Sequence, residues 1–131
     1  MSKTYEFLKE CKVFFLLTSF EDSPFGRPFG AIMESNRKLY ISTAKIKNVY
    51  RQLINNPKVQ IIALQPNSRK WIRVSALALE CKDLKMKELM LKENPNVARH
   101  FLNASDPNFS LFELKIISSF INTDLNSIKI D

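Results

Sequence analysis

The sequence predicts an α+β fold in which a six-stranded sheet closes into a small barrel with peripheral helices. Six segments have the composition of strands, whereas a clear helical spacing occurs between the third and fourth strands and another helical stretch precedes the last strand. The length of 131 residues suits one domain, and no repeat, linker or low-complexity segment divides the chain. We therefore expect residues 1–131 to form a single domain.

The first three strands follow a short helix over residues 4–11. Lys12–Phe20 is a nearly continuous apolar run, which predicts a strand buried on both faces. Phe25–Met33 contains a proline and two glycines and predicts an irregular strand. Lys38–Thr43 predicts the third strand, after a turn at 34–37.

The second half of the chain begins with a helix. Ile46, Val49, Tyr50 and Leu53 have the spacing of an amphipathic helix, which residues 55–57 end. Three further strands are expected, and two short helices broken at residues 94–95 come before the last of them. The strands are Val59–Leu64, Lys70–Leu79 and Leu111–Ile121, the helices lie within Lys82–Leu102, and the tail after Thr123 adds a short edge strand.

The positive charge is concentrated in the middle of the chain. The net charge is +7, and residues 35–79 hold nine basic side chains and no acidic one. A solvated basic face is the ordinary explanation of such a run. Here the missing acids favour a bound anion, either a phosphate-bearing small molecule or a nucleic acid, because repulsion among the basic groups is otherwise unrelieved.

Several classes of site are excluded by composition. Cys11 and Cys81 match no metal spacing and predict two reduced thiols in a cytoplasmic protein, and no secretory signal or membrane-spanning run is evident. Two glycines cannot supply a dinucleotide-binding or Walker A loop. The lone His100 predicts a surface or interface position, so no metal site is expected and no catalytic residue can be named. Any redox chemistry must then come from a cofactor.

The junction between the third strand and the helix is the best local site. Ser42 and Thr43 end the strand, Thr43 is a candidate helix N-cap, and Lys45 and Lys47 follow. A helix N-terminus favours phosphate, and two lysines in a first turn oppose the helix dipole unless an anion binds there. Solvent-facing lysines explain the pattern equally well.

Two strands present further candidates. In the strand Lys70–Leu79, Ile72, Val74, Ala76 and Ala78 share one face, whereas Trp71 and Arg73 lie on the other, where they suit a planar or anionic partner. Alternatively, Arg73 pairs with a carboxylate across the sheet and Trp71 fills a subunit interface. In the second strand Arg27, Phe29 and Ala31 share a face, which flanking glycines leave open.

The order and spacing of five stretches resemble the pyridoxamine 5′-phosphate oxidase-like family of FMN-binding split β-barrels, and most of all its short, single-domain, nitroimidazole-resistance-type branch. The stretches are Gly26–Gly30, Lys38–Thr43 with Lys47, Asn56–Val59, Trp71–Val74 and Glu88–Pro95. The resemblance implies FMN as cofactor and a homodimer with two FMN sites at the subunit interface. The sequence lacks the C-terminal Arg- and Trp-containing segment with which true pyridoxamine-phosphate oxidases bind their substrate. Pyridoxamine-phosphate oxidase activity is therefore not expected.

The resemblance also assigns roles to residues. Arg27, Pro28 and Phe29 would line the flavin and its ribityl phosphate, and Ser42 and Thr43 would offer hydroxyl and backbone contacts. Lys47, with Lys45 and Asn48, would hold the phosphate, although the choice between the two lysines stays open. Trp71 and Arg73 would approach from a neighbouring strand.

The implied function is that of an FMN-dependent oxidoreductase that passes electrons from a reduced nicotinamide to a small acceptor. The first alternative is a flavin-binding sensor or carrier without turnover. The third hypothesis is a nucleic-acid-binding barrel in which Tyr40, Tyr50 and Trp71 stack on bases among the basic groups. Haem binding, known in a related split-barrel branch, comes fourth.

Overall fold

A computed structural model describes all 131 residues, and it contains eight strands and four helices. The strands are β1 (Phe14–Phe20), β2 (Ser23–Phe29), β3 (Met33–Ser35), β4 (Lys38–Ala44), β5 (Lys58–Leu64), β6 (Trp71–Cys81), β7 (Phe109–Asn122) and β8 (Ser127–Ile130). The helices are α1 (Lys3–Cys11), α2 (Asn48–Asn55), α3 (Leu84–Glu93) and α4 (Pro95–Ala98). The α+β class is thus confirmed.

The strands form one antiparallel sheet whose two edge strands, β2 and β3, follow each other in the chain. The order is β2-β1-β5-β6-β7-β4-β3, with β8 also paired to β7. Strand β2 pairs only with β1 and β3 pairs only with β4, yet residues 30–32 alone connect them. The chain itself therefore bridges the two edges, and the barrel is split there rather than closed by a hydrogen-bonded ladder.

The sheet has eight strands rather than the six expected. The predicted strand Phe25–Met33 is two strands, because residues 30–32 leave β1 after Phe29 and join the opposite edge of the sheet. The second addition is the tail, which pairs with β7 as β8, as expected.

Helix α2 begins later than its apolar spacing indicated. Strand β4 extends to Ala44, Lys47 is the N-cap residue of the helix, and Ile46 lies in the intervening turn with 84% of its surface exposed. The prediction of Thr43 as the N-cap is therefore wrong. Its backbone is instead occupied in the ladder opposite Ser110 of β7, which fixes it as a strand residue.

The interior holds two apolar clusters. The larger contains 19 buried residues from α1, α2 and most of the strands, including the predicted inner face of β6 (Ile72, Val74, Ala76, Ala78). The smaller contains Met33, Tyr40, Met90, Phe109 and Leu111 and attaches helix α3 to the sheet. Strand β1 is not buried on both faces as predicted, since Phe15 is 50% exposed and belongs to the outer face of the sheet.

The end of the chain holds its beginning in place. The Asp131 carboxylate accepts hydrogen bonds from the backbone N–H groups of Lys3 (3.1 Å) and Thr4 (2.6 Å), while the Ser2 hydroxyl accepts one from Tyr5 (3.1 Å). These acceptors satisfy N–H groups in the first turn of α1 that have no partner within the helix. None of the four helices has the length and apolar character needed to cross a membrane.

Candidate functional site

A cavity of about 790 Å³ opens where the barrel is split. Its walls are the end of β2 with residues 30–31, the end of β4 with the turn into α2, and the corner between α3 and α4. Cofactor sites commonly have volumes of about 300–1,000 Å³ and occur at the mouths of barrels. The cavity is thus large enough for a cofactor with several rings.

Six of the ten predicted binding residues line this cavity. They are Arg27, Pro28, Phe29, Ser42, Thr43 and Lys47. The first three come from β2 and the others from β4 and its turn, so strands at opposite ends of the sheet order bring them together. The other four predicted residues, Lys45, Asn48, Trp71 and Arg73, are not among the lining residues.

The structure separates the two lysines between which the sequence could not choose. Lys45 Nζ lies 3.9 Å from a Glu80 carboxylate oxygen and 5.7 Å from the centre of the Tyr50 ring, and Tyr50 donates a hydrogen bond of 3.2 Å to the same carboxylate. Lys47 makes no ion pair within the chain and lines the cavity. Lys47 is therefore the one with a free charge at the site.

Asn108 positions the turn that carries both lysines. The backbone N–H of Lys45 donates to the Asn108 carbonyl (2.8 Å), and that of Ile46 donates to the Asn108 side-chain oxygen (3.1 Å). The neighbouring Ser110 hydroxyl donates to the carbonyl of Thr43 (2.7 Å). Residues before and at the start of β7 thus fix the path of the chain around Ser42, Thr43 and Lys47.

Arg27 is held in place by neutral groups. Its Nη1 donates to the Leu16 carbonyl (3.1 Å) and to the Thr18 hydroxyl (2.9 Å), and its Nη2 donates to Oε1 of Gln52 (2.6 Å). Burial lowers the pKa of the guanidinium, which nevertheless stays protonated because arginine titrates so far above neutrality. It forms no ion pair with a carboxylate, so a positive charge at the cavity wall has no counter-ion within the chain.

The basic segment is partly neutralised by acids from elsewhere. Lys38 lies 3.8 Å from Glu113, Lys45 3.9 Å from Glu80, and Arg69 2.7 Å from Asp124. These acids lie outside residues 35–79 and meet the basic groups through β-pairing and loops. Tyr40 is only 5% exposed, and the Tyr50 hydroxyl is bonded to Glu80, so neither ring is a free platform for a base.

Trp71 and Arg73 lie on the outer face of the sheet. The Arg73 guanidinium is 4.8 Å from the centre of the Trp71 ring, a cation–π contact within one strand and not the pairing with a carboxylate across the sheet. One cross-strand row on this face contains Pro28, Phe15, Ile62, Arg73 and Phe120. Pro28, which also lines the cavity, is at the β2 end of the row that contains Arg73.

Sequence reasoning missed one wall of the cavity. The α3–α4 corner contributes Glu93, Asn94, Pro95, Asn96, Val97, His100 and Phe101, and Lys9, Gly30, Ala31, Ala44, Ile46, Val49 and Asn108 complete the lining. His100 is exposed, as expected, and it lines the cavity. The only signal for this wall was the match of the helical insert to the short branch of the family.

A family model described as pyridoxamine 5′-phosphate oxidase matches residues 2–119. The chain belongs to the pyridoxamine 5′-phosphate oxidase-like family. No curated protein matches the sequence closely enough to count as a relative.

Solved structures agree with this family. A NimC/NimA family protein from Clostridium acetobutylicum has 32% identity and a TM-score of 0.88, with 98% of this chain and 90% of that one covered. General stress protein 26 from Bacillus anthracis has 20% identity and a TM-score of 0.77, with 95% and 94% covered. A pyridoxamine 5′-phosphate oxidase-related, FMN-binding protein from Nostoc punctiforme has 17% identity and a TM-score of 0.67, with 92% and 87% covered. The NimC/NimA match supports the predicted short branch, and the other two show a shared fold.

Proposed function

We propose that this protein binds FMN in the cavity at the split of the barrel and acts as a flavin-dependent oxidoreductase. The observation that carries the proposal is that Arg27 and Lys47, which with Lys9 are the cations that line the cavity, have no carboxylate partner within the chain. Membership of a family with FMN-binding relatives supports the choice of anion. When bound, FMN would supply the electron-transfer chemistry that the protein side chains lack.

The phosphate end of the cofactor fits the turn between β4 and α2. Lys47 and Arg27 supply positive charge, and Ser42 and Thr43 supply hydroxyl groups from β4. A phosphate monoester carries about 1.5 to 2 negative charges near neutral pH, which these two cations would balance. Lys45, bound to Glu80, and Asn48, outside the lining, would contribute through the local field rather than by contact.

The ring end of the cofactor fits the apolar part of the lining. Phe29, Ala31, Val97 and Phe101 are apolar lining residues, and a planar ring system placed against them would be shielded from water. His100 and Asn94 are polar groups of the same wall that could contact a second, smaller molecule beside the cofactor. We assign to this wall the binding of the electron acceptor.

A homodimer would complete the site. The outer face of the sheet carries exposed apolar side chains, among them Phe15 (50% exposed), Leu64 (61%) and Ile117 (62%), which an interface would cover. A twofold interface uses the same patch on both copies. Because Pro28 shares a cross-strand row with Arg73, such an interface would bring Trp71 and Arg73 of a second copy toward the cavity. This arrangement would explain why neither residue lines the cavity of its own chain.

The alternative is a flavin-binding sensor or carrier without turnover. It is supported by the neutral groups that hold Arg27, since Thr18 and Gln52 serve the binding of an anion and supply no acid–base chemistry. The nucleic-acid hypothesis is weakened by the ion pairs of three basic residues and by the occupied tyrosines.

Anaerobic reduction of the FMN-loaded protein separates the two functions. We expect NADH or NADPH to bleach the visible flavin band, and addition of a small nitro- or quinone-type acceptor to restore it. A flavin that stays oxidised with both nicotinamides, but is bleached by dithionite, would contradict the oxidoreductase and favour the sensor or carrier.

A further inference from the structure

The structure contains a closed network of hydrogen bonds behind Arg27 that the proposed function does not use. Arg27 Nη1 donates to Thr18 Oγ1 (2.9 Å), Thr18 Oγ1 donates to Gln52 Oε1 (2.6 Å), and Arg27 Nη2 donates to the same Oε1 (2.6 Å). Thr18 and Gln52 are each only 5% exposed. They lie on β1 and α2, so the network ties the wall of the barrel to the helix that Lys47 caps.

The chemistry of the donors fixes the orientation of the network. A guanidinium has five N–H donors and no acceptor, so the atom of Gln52 that faces it must be the amide oxygen. Three of the five donors are used on Leu16, Thr18 and Gln52. The Nε–H group and one Nη2–H group form no hydrogen bond within the chain, and Arg27 lines the cavity.

The neutrality of the network matters as much as its geometry. A carboxylate at position 52 or 18 would hold the guanidinium equally well, but it would also cancel the charge of Arg27. The amide and hydroxyl acceptors hold the side chain and leave its charge for a ligand. Guanidinium groups bind phosphate strongly when they can present paired N–H donors in a fixed orientation.

We infer that Gln52, together with Thr18, is a positioning residue that aims two free N–H donors of Arg27 at the phosphate of the flavin and thereby lets the site distinguish FMN from riboflavin. This inference rests on the proposed function, because it concerns the phosphate end of the same cavity. Neither Gln52 nor Thr18 touches the cofactor. Their effect on binding is transmitted through Arg27 alone, so it should appear only for ligands that carry a phosphate.

The experiment compares the Kd values of FMN and riboflavin by fluorescence titration for the wild-type protein and four variants. Gln52→Met removes the acceptor at nearly constant volume and should raise the Kd of FMN about tenfold, as expected for a weakened hydrogen bond to a charged group, with riboflavin unchanged. Gln52→Glu keeps the acceptor, so thermal stability should be kept or raised, yet the Kd of FMN should also rise. Thr123→Val, in the turn between β7 and β8, is the matched control for Thr18→Val and should leave both Kd values unchanged.

The outcomes separate this inference from the proposed function. If wild-type protein binds FMN but Gln52→Met and Gln52→Glu both keep the wild-type ratio of the two Kd values, Gln52 is structural only and the inference is overturned. If binding merely follows thermal stability, so that Gln52→Glu binds FMN as well as wild type, it is overturned in the same way. If Gln52→Met does not fold, Thr18→Val gives the decision, with a rise of about threefold for FMN alone expected. A wild-type protein that binds neither flavin overturns the proposed function itself.

Discussion

At the scale of single residues, we expect FMN binding to depend on which cations are free. Lys47 and Arg27 face the cavity without a carboxylate partner, whereas Lys45 is held by Glu80. The two lysines carry the same charge and lie two positions apart in the sequence, so they differ only in the groups that surround them. That difference can be tested directly.

Replacing each lysine in turn should give unequal effects on FMN binding. Lys47→Gln removes a charge beside the proposed phosphate and should raise the Kd of FMN about tenfold or more. Lys45→Gln removes the same charge two residues earlier, but from an ion pair outside the cavity, so it should change the Kd by less than about threefold. Titration by flavin fluorescence measures both, and equal effects would mean that general electrostatics, not a local phosphate site, governs binding.

The sequence allowed six of the cavity residues to be predicted because they lie in short motifs on β2, on β4 and in the turn that follows β4. It did not separate Lys45 from Lys47, since the acid that pairs with Lys45 is Glu80, which comes 35 positions later in the chain. The contribution of His100 and Phe101 was also missed. Their place depends on how α3 and α4 pack over the split, and helical periodicity alone carries no such information.

At the scale of the elements, helix α1 is held by the last residue of the chain. Burial opposes ionisation of the Asp131 carboxyl, but hydrogen bonds from Thr4 and Lys3 and the charge of Lys3 together lower its pKa below the usual 3.8. A carboxyl whose pKa is lower in the folded state stabilises the fold above its unfolded pKa. That stabilisation is lost as the pH falls below 3.8 through the lowered value.

Asp131→Asn should therefore destabilise the protein by about 1 kcal/mol at pH 7, the usual size of a capping interaction. The difference between variant and wild type should shrink steadily below pH 3.8. Urea unfolding at pH 7 and at pH 3 measures both effects. Asp124→Asn is the control, because its partner Arg69 is 81% exposed and surface pairs contribute little. A pH-independent loss in Asp131→Asn would show that its charge plays no part.

Helix α3 depends on a single buried side chain. Met90 is the only buried residue of α3 and packs in the smaller cluster with Met33, Tyr40, Phe109 and Leu111. Met90→Ala should cost about 2–5 kcal/mol of unfolding free energy. Because the α3–α4 corner forms one wall of the cavity, flavin affinity should fall as well. Met86→Ala, at a half-buried position of the same helix, should cost less. An equal cost at both positions would contradict this view of how α3 is attached.

The element boundaries show where sequence patterns stop being informative. The spacing of Ile46 with Val49 suggested one more helical turn than exists, and Ile46 is instead exposed in the turn beside the cavity. The break between β2 and β3 was visible only as a weak strand around Pro28. It follows from the closure of the barrel, in which residues 30–32 join opposite edges of the sheet.

At the scale of the whole molecule, the outer face of the sheet carries apolar side chains that nothing within a single chain covers. Phe15, Leu64 and Ile117 are exposed on it, and Trp71 and Arg73 lie on the same face. We expect wild-type protein to be a dimer. Phe15→Glu should give a monomer with a Kd for FMN raised about tenfold or more, since charge in the centre of an apolar interface opposes association. Analytical ultracentrifugation and flavin titration measure the two effects.

The matched control is Leu125→Glu, which adds the same charge at a side chain that is 91% exposed in the turn before β8. It should remain dimeric and bind FMN normally. A wild-type monomer that binds one FMN per chain would contradict the role proposed for the outer face. It would also leave Trp71 and Arg73 without a function in the site.

We propose above all that FMN occupies the cavity at the split of the barrel. The most direct test is the visible absorption spectrum of wild-type protein and Lys47→Gln after incubation with excess FMN and desalting. We predict that the wild type keeps a yellow flavin band at about one FMN per chain and that the variant loses most of it. A colourless wild-type protein would contradict the claim, and a band kept equally by both proteins would place the flavin away from Lys47.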